Sequence, residues 1–126
     1  LIISTGYNGA PRGRKNCNDL GYCIREKLNI PRGERYELCR SVHAEQNAII
    51  SAPRKDMIDS TLYMVGKDAK TNEYVEKSMS CSMCKRFIIN SGIKKIVIRV
   101  TKDEYREIEV DDLIKNDESL EGKLGY

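Results

Sequence analysis

Apolar and polar positions follow two different periods along this chain, and the changes of period mark its elements. Leu1-Ile2-Ile3-Ser4-Thr5 is an apolar run that reads as a strand end, and Gly6-Tyr7-Asn8-Gly9-Ala10-Pro11 is dense in turn residues. Residues 12–40 are polar and irregular, broken at Gly13, Gly21, Pro31 and Gly33, with a short helix predicted over Tyr22 to Leu28. So long a loop in a compact domain is usually functional or tied down. From Ser41 to Ala52 the period becomes helical: Val42, Ala44, Ala48, Ile49 and Ala52 form one apolar stripe, and Pro53 stops it. Thr61-Leu62-Tyr63-Met64-Val65 reads as a strand. Ser80 is suited to cap a helix from Cys81 to Asn90, with Gly92 just past its end. Lys95 to Val100 is a strand whose near-continuous apolar centre predicts a sheet covered on both faces. Tyr105 to Val110 predicts a last strand, and Asp111 to Lys115 a short helix. Strands alternating with helices, without internal repeat, define an α/β domain.

Composition narrows the picture. At 126 residues the chain fits one domain, residues 1–126, and 40% hydrophobic residues suffice for a core, which excludes low-complexity disorder. No apolar run approaches the ~20 residues of a membrane-spanning helix. No signal peptide is visible, and a chain that opens on an apolar run without an initiator Met reads as a fragment missing its natural N-terminus.

The net charge of +3 is unevenly spread: residues 11–40 hold eight basic and four acidic side chains, 41–101 ten and six, and 102–126 four and nine. A basic body with an acidic tail suits an anionic small molecule or weak nucleic-acid contact, and a solvated face explains it equally well. A net charge of +3 is far from that of a dedicated DNA binder, and with no Trp, one Phe and seven scattered Tyr there is no platform for stacking single strands. Nucleic acid is therefore not an expected partner. Five cysteines without a secretory segment point to a reducing cytoplasm, where paired cysteines more often mean metal or redox chemistry than bridges.

Two segments carry the candidate chemistry: His43-Ala44-Glu45 and Cys81-Ser82-Met83-Cys84. Singly, each has a plainer reading, the His as a satisfied polar group and the Cys pair as a redox couple or half of a zinc ribbon. Together they say more, because each begins a predicted helix. Cysteines three apart share one helix face, and the helix N-terminus favours the thiolates that zinc requires. His43 completes three ligands, which leaves a fourth position for water, the pattern of a catalytic site. Glu45 stands two residues from that ligand, placed to handle the proton of the water, and the chain's one His lies in this motif.

These residues resemble a known family. Ser4-Thr5-Gly6-Tyr7-Asn8-Gly9-Ala10-Pro11, Glu37-Leu38-Cys39-Arg40 and His43-Ala44-Glu45-Gln46-Asn47-Ala48-Ile49 resemble the deoxycytidylate (dCMP) deaminases of the zinc-dependent cytidine/deoxycytidylate deaminase superfamily. The resemblance resumes at Cys81 to Cys84 and at Ile89-Asn90-Ser91-Gly92-Ile93-Lys94-Lys95. It implies a three-layer α-β-α fold with a central mixed sheet, here lacking the family's first helix and first strand. It implies hydrolytic deamination of dCMP to dUMP in pyrimidine deoxynucleotide biosynthesis, with zinc on His43, Cys81 and Cys84 and Glu45 as proton shuttle. The Ala44 N–H would hold the pyrimidine edge, the carbonyl near Ser80 or Cys81 would receive the 4-amino group, and Asn8 would meet the sugar. Arg12, Arg14 and Lys15 are candidate contacts for the 5′-phosphate, with solvated loop residues as the plainer reading. Cys17, Cys23 and Cys39 are candidates for a second, structural zinc, or else small buried apolar side chains. A homo-oligomer, a hexamer in the family, and regulation by dCTP and dTTP are implied as well. The family usually has Pro where this chain has Ser80. Two alternatives stay open: a sister deaminase acting on cytidine, guanine or tRNA adenosine, and a catalytically inactive zinc module used in assembly.

Overall fold

The computed structural model describes residues 1–75 and 78–122. Its elements run in the order α1 (Cys17–Leu20), α2 (Ile24–Lys27), a 3₁₀ turn (Tyr36–Leu38), α3 (Ala44–Ile50), α4 (Arg54–Met57), β1 (Thr61–Val65), α5 (Ser82–Ser91), β2 (Lys95–Arg99), β3 (Tyr105–Glu109) and α6 (Val110–Lys115). β2 pairs parallel to β1, from Thr61↔Lys95 to Val65↔Arg99, and antiparallel to β3, from Lys95↔Glu109 to Arg99↔Tyr105. Parallel neighbours need a long crossover, and α5 lies within it. The result is the mixed sheet of an α/β domain, in the order β1-β2-β3.

The strand pleat sorts the side chains. Ile96 and Ile98 point to one face and are fully buried against Ile88, Ile93 and Val110, with Ile49, Leu62, Met64, Ile108 and Leu113 packed around them. Helices α3, α5 and α6 all contribute to this cluster, so they form one layer on one face of the sheet. Coverage of both faces, expected from the apolar centre of β2, is not seen among the described residues. Tyr63, Val65, Arg99 and Tyr105 are exposed on the opposite face beside half-buried Val97. Val97 alone breaks the in/out alternation of β2, and the residues it faces across the strands, Tyr63 and Glu107, are both exposed.

Other boundaries differ in instructive ways. Leu1–Thr5, read as a strand end, joins no ladder; a strand exists only where its N–H and C=O groups find a partner strand. This segment instead follows α3, where the Ser4 hydroxyl donates to the Ala48 carbonyl at 2.6 Å. Helix α3 begins at Ala44 rather than Ser41, because His43 is extended (φ −70°, ψ 153°) and serves as its N-cap. Pro53 does end the apolar stripe, but it also caps α4, which the sequence did not predict. Ser80, expected to cap the helix at Cys81, does not: Cys81 is the N-cap of α5, its Sγ accepting from the Cys84 N–H at 3.5 Å. Ser80 is fully buried, its hydroxyl 3.5 Å from Met64 Sδ. Gly92 closes α5 at φ 87°, a left-handed position where a side chain is strained, and a Cβ there would lie 3.0 Å from Ile58 Cγ1. No helix is long and apolar enough to cross a membrane among the described residues.

Candidate active site

The site forms where the N-termini of α3 and α5 meet. The two helices pack against one another, and each presents its capping residue, His43 and Cys81, at the shared end. Cys84, one turn into α5, lies on the same side as Cys81, as the three-residue spacing requires. Cys81 and Cys84 are 1% and 0% exposed. His43 Nδ1 lies 3.6 Å from Cys81 Sγ and 3.3 Å from Cys84 Sγ. Its own backbone N–H is fixed by Gln46 Oε1 at 2.9 Å.

The fit to zinc follows from these separations. A tetrahedral ion with ordinary Zn–S and Zn–N bond lengths holds sulfur and nitrogen ligands about 3.5 Å apart. The observed 3.3 and 3.6 Å bracket that value. All three ligand atoms lie within 4.8 Å of one another, and among the described residues no other group of His, Cys, Asp or Glu does so. Glu45, second in α3 and 9% exposed, is close to the cluster without belonging to it. Its carboxylate engages the Cys84 thiol.

The three groups differ in protonation. The Cys84 hydrogen bond, then those of His43 and the Cys84 N–H, hold Cys81 down at about 4 against the opposing effect of burial. Cys84 is pushed above the usual thiol range by the adjacent Cys81 sulfur, by burial and by Glu45. His43 is raised, chiefly through its hydrogen bond to Cys81. Cys81 is therefore a thiolate at neutral pH, whereas Cys84 keeps its proton and His43 holds a proton more firmly than a free imidazole, so a metal on these three groups would compete with protons.

The rim is built by residues 4–9, laced along α3. Gly9 and Val42 exchange backbone hydrogen bonds (3.2 and 2.7 Å), Asn47 Nδ2 donates to the Tyr7 carbonyl at 2.8 Å, and the Ala44 N–H donates to Asn8 Oδ1 at 2.7 Å. Two sequence-predicted residues, Asn8 and Ala44, are thus brought together beside the cluster. Arg12, Arg14 and Lys15 lie on an exposed loop that Asn16 ties back to the turn, its Oδ1 accepting from the Ala10 N–H at 2.8 Å.

The structure does not assemble Cys17, Cys23 and Cys39 into a ligand set. The three thiols are free and half-buried on three separate short elements. Cys17 and Cys39, but not Cys23, line a cavity of about 360 Å³ with Arg14 and Arg40. Sequence reasoning missed Tyr36, whose ring stands edge-on to His43, and it read Gly6 as a turn residue without the close approach to α3 that its lack of a side chain permits. Tyr36 belongs to no periodic pattern that would single it out.

An α/β domain whose helix N-termini converge on one imidazole and two buried thiols, with a carboxylate kept outside the ligand set, belongs to the class of zinc-binding deaminase domains. The family model described as cytidine and deoxycytidylate deaminase zinc-binding region matches residues 1–100, and the chain belongs to that family. It is 36% identical over 96 residues to a deoxycytidylate deaminase of Schizosaccharomyces pombe, covering 76% of this chain and 26% of the relative. A deoxycytidylate deaminase of Mycobacterium phage D29 is 34% identical over 101 residues (76% and 67% of the two chains). One of Enterobacteria phage T4 is 29% identical over 146 aligned positions (91% and 69%). The chain therefore spans about a quarter of the yeast relative and about two thirds of the phage relatives. No solved structure matches it.

Proposed function

We propose that this chain catalyses the zinc-dependent hydrolysis of dCMP to dUMP and ammonia, serving pyrimidine deoxynucleotide synthesis. The observation that carries the reading is the placement of Glu45, buried and outside the ligand set, against His43, Cys81 and Cys84 in a chain of the deaminase family. The names of the relatives, all deoxycytidylate deaminases, favour the nucleotide over free cytosine or cytidine.

When bound, zinc would lower the pKa of a water toward ~7 and so supply a nucleophile at neutral pH. Glu45 takes the proton released and delivers it to N3 of the ring as C4 is attacked. It then takes the proton of the new C4 hydroxyl and carries it to the 4-amino group, so that C4=O forms as the C4–N4 bond breaks and neutral ammonia leaves. Burial on the N-terminal turn of α3 keeps the carboxylate near the reacting atoms throughout. The Ala44 N–H holds the pyrimidine edge, which requires Asn8 to release it and turn toward the sugar. The carbonyl of Ser80 or Cys81 receives the 4-amino group. Arg12, Arg14 and Lys15 meet the 5′-phosphate, on a loop that Asn16 keeps near Asn8.

The test is a panel of dCMP, cytidine, cytosine and guanine, followed by loss of base absorbance and by ammonia release. Two charge-assisted contacts to phosphate would raise kcat/KM for dCMP about 100-fold over cytidine. Equal kcat/KM for the nucleoside would reject phosphate recognition, and no ammonia from any base by the zinc-loaded protein would reject the enzyme.

A further inference from the structure

The segment from α2 to the 3₁₀ turn has an unusual backbone. Asn29, Gly33 and Arg35 all have positive φ (56°, 87° and 53°), and two of the three are not glycine. Such a loop keeps its shape only if something outside it holds it. Arg25 of α2 does so: its Nε and Nη2 donate to the Glu34 carbonyl at 3.0 and 2.7 Å, and Nη2 also donates to the Pro31 carbonyl at 3.0 Å. The same guanidinium lies over the ring of Tyr36, 4.6 Å from its centroid. Tyr36 in turn meets His43 edge to face, with centroids 5.7 Å apart and planes at 87°. A continuous line of contacts therefore runs from α2 to the metal-site imidazole.

The imidazole needs such a support. His43 is the N-cap of α3, where its side chain meets the Gln46 N–H from one side in a capping box, and only one ring orientation aims Nδ1 at both Cys81 and Cys84. A half-turn of the ring would put a carbon in that place. An aromatic neighbour in T-shaped contact opposes this rotation, and a guanidinium stacked on the far ring keeps the neighbour still.

We infer that Arg25 and Tyr36 are positioning residues for the ligand His43, with Arg25 fixing the loop and the Tyr36 ring, and Tyr36 fixing the imidazole that holds zinc. This rests on His43, Cys81 and Cys84 being the metal site, and it does not depend on which base is deaminated. Groups that orient a metal ligand commonly contribute 10- to 100-fold in affinity. Arg25 cannot be replaced by Lys, because one ammonium cannot bridge two carbonyls and stack on a ring together.

The experiment measures Zn²⁺ affinity by competition with a chelating indicator, and the visible bands of the Co²⁺-substituted protein. Tyr36→Phe keeps the ring and should stay within about twofold of wild type. Tyr36→Leu should lose about tenfold in zinc affinity and shift the Co²⁺ bands. Arg25→Lys should lose about threefold, and adding it to Tyr36→Leu should cost little more, since Arg25 acts through the ring. Wild-type affinity and spectrum in Tyr36→Leu would overturn the inference, as would full additivity of the two substitutions. If Tyr36→Leu does not fold, Arg25→Lys decides alone, and unchanged affinity in that variant overturns it. Cys84→Ser separates the two levels: if it leaves zinc binding intact, the metal site itself is wrong. If it abolishes binding while Tyr36→Leu does not, only the positioning role falls.

Discussion

Replacing Gly6 by Ala should displace the turn that carries Asn8 without touching His43, Glu45, Cys81 or Cys84. A Cβ at Gly6 would lie 2.4 Å from the Ala44 carbonyl oxygen and 2.5 Å from the Ala48 nitrogen, both backbone atoms of α3 that cannot swing aside. Ordinary contact begins near 3.4 Å, so the turn must lift from the helix by about 1 Å. Three hydrogen bonds cross that gap: Ser4 to Ala48, Ala44 to Asn8, and Asn47 to Tyr7. Each contributes about 0.5–1.5 kcal/mol, and solvent replaces part of each when it breaks, so about 2 kcal/mol of stability is lost. The larger effect is on catalysis, because the displaced turn carries Asn8, the proposed sugar contact, out of register with the Ala44 N–H proposed to hold the base, and a 1 Å misplacement costs about 100-fold in kcat/KM. Urea unfolding and dCMP kinetics on the same preparation give both numbers, with zinc content measured to show that the cluster survives. A Gly6→Ala variant with wild-type stability and kcat/KM would refute the close approach of this turn to α3.

Three further outcomes follow from the site. Glu45→Gln should retain zinc yet lose at least about 1000-fold in deamination, because an amide cannot carry the proton; substantial turnover would place the base elsewhere. The double variant Cys81→Ser, Cys84→Ser should lose the metal, and unchanged zinc by elemental analysis would remove these residues from the ligand set. Zinc affinity should rise with pH: His43 and Cys84 are both raised, whereas Cys81 is already ionised above about 4. Zinc therefore displaces roughly two protons at pH values below the raised His43 value and roughly one above it, so the slope of log affinity against pH falls from about 2 to about 1. A pH-independent affinity across pH 5–8 would contradict this.

What the sequence conveyed depended on whether an interaction is local. β1, β2, β3, α5 and α6 were legible because each has its own periodicity, and the cysteine pair was legible because three residues on a helix fix a shared face. The one histidine needed only a partner helix to complete the cluster. Features set by distant parts of the chain were not legible. Leu1–Thr5 has strand composition, but pairing depends on a neighbour that composition does not report, and its polar groups turn to α3. Pro53 was read as a stop, although a residue that cannot continue one helix is equally suited to begin the next. Ser80 and Cys81 could both cap α5. The choice fell to Cys81 because its extended backbone sends a sulfur both to the Cys84 N–H and toward His43, so the capping atom is also the proposed ligand atom. A loop as long as 12–40 needs something to tie it down, and its three cysteines are candidates for a metal or for small buried apolar side chains. The ties found there are of another kind: Arg25 on two carbonyls, Arg40 on the Lys15 carbonyl, and Asn16 on Ala10. Counting thiols could not reveal this, since side chains donating to the main chain leave no spacing rule behind. One of those ties, Arg25, also lies over the Tyr36 ring that meets His43, so the shape of the loop and the proposed support of the imidazole share one contact.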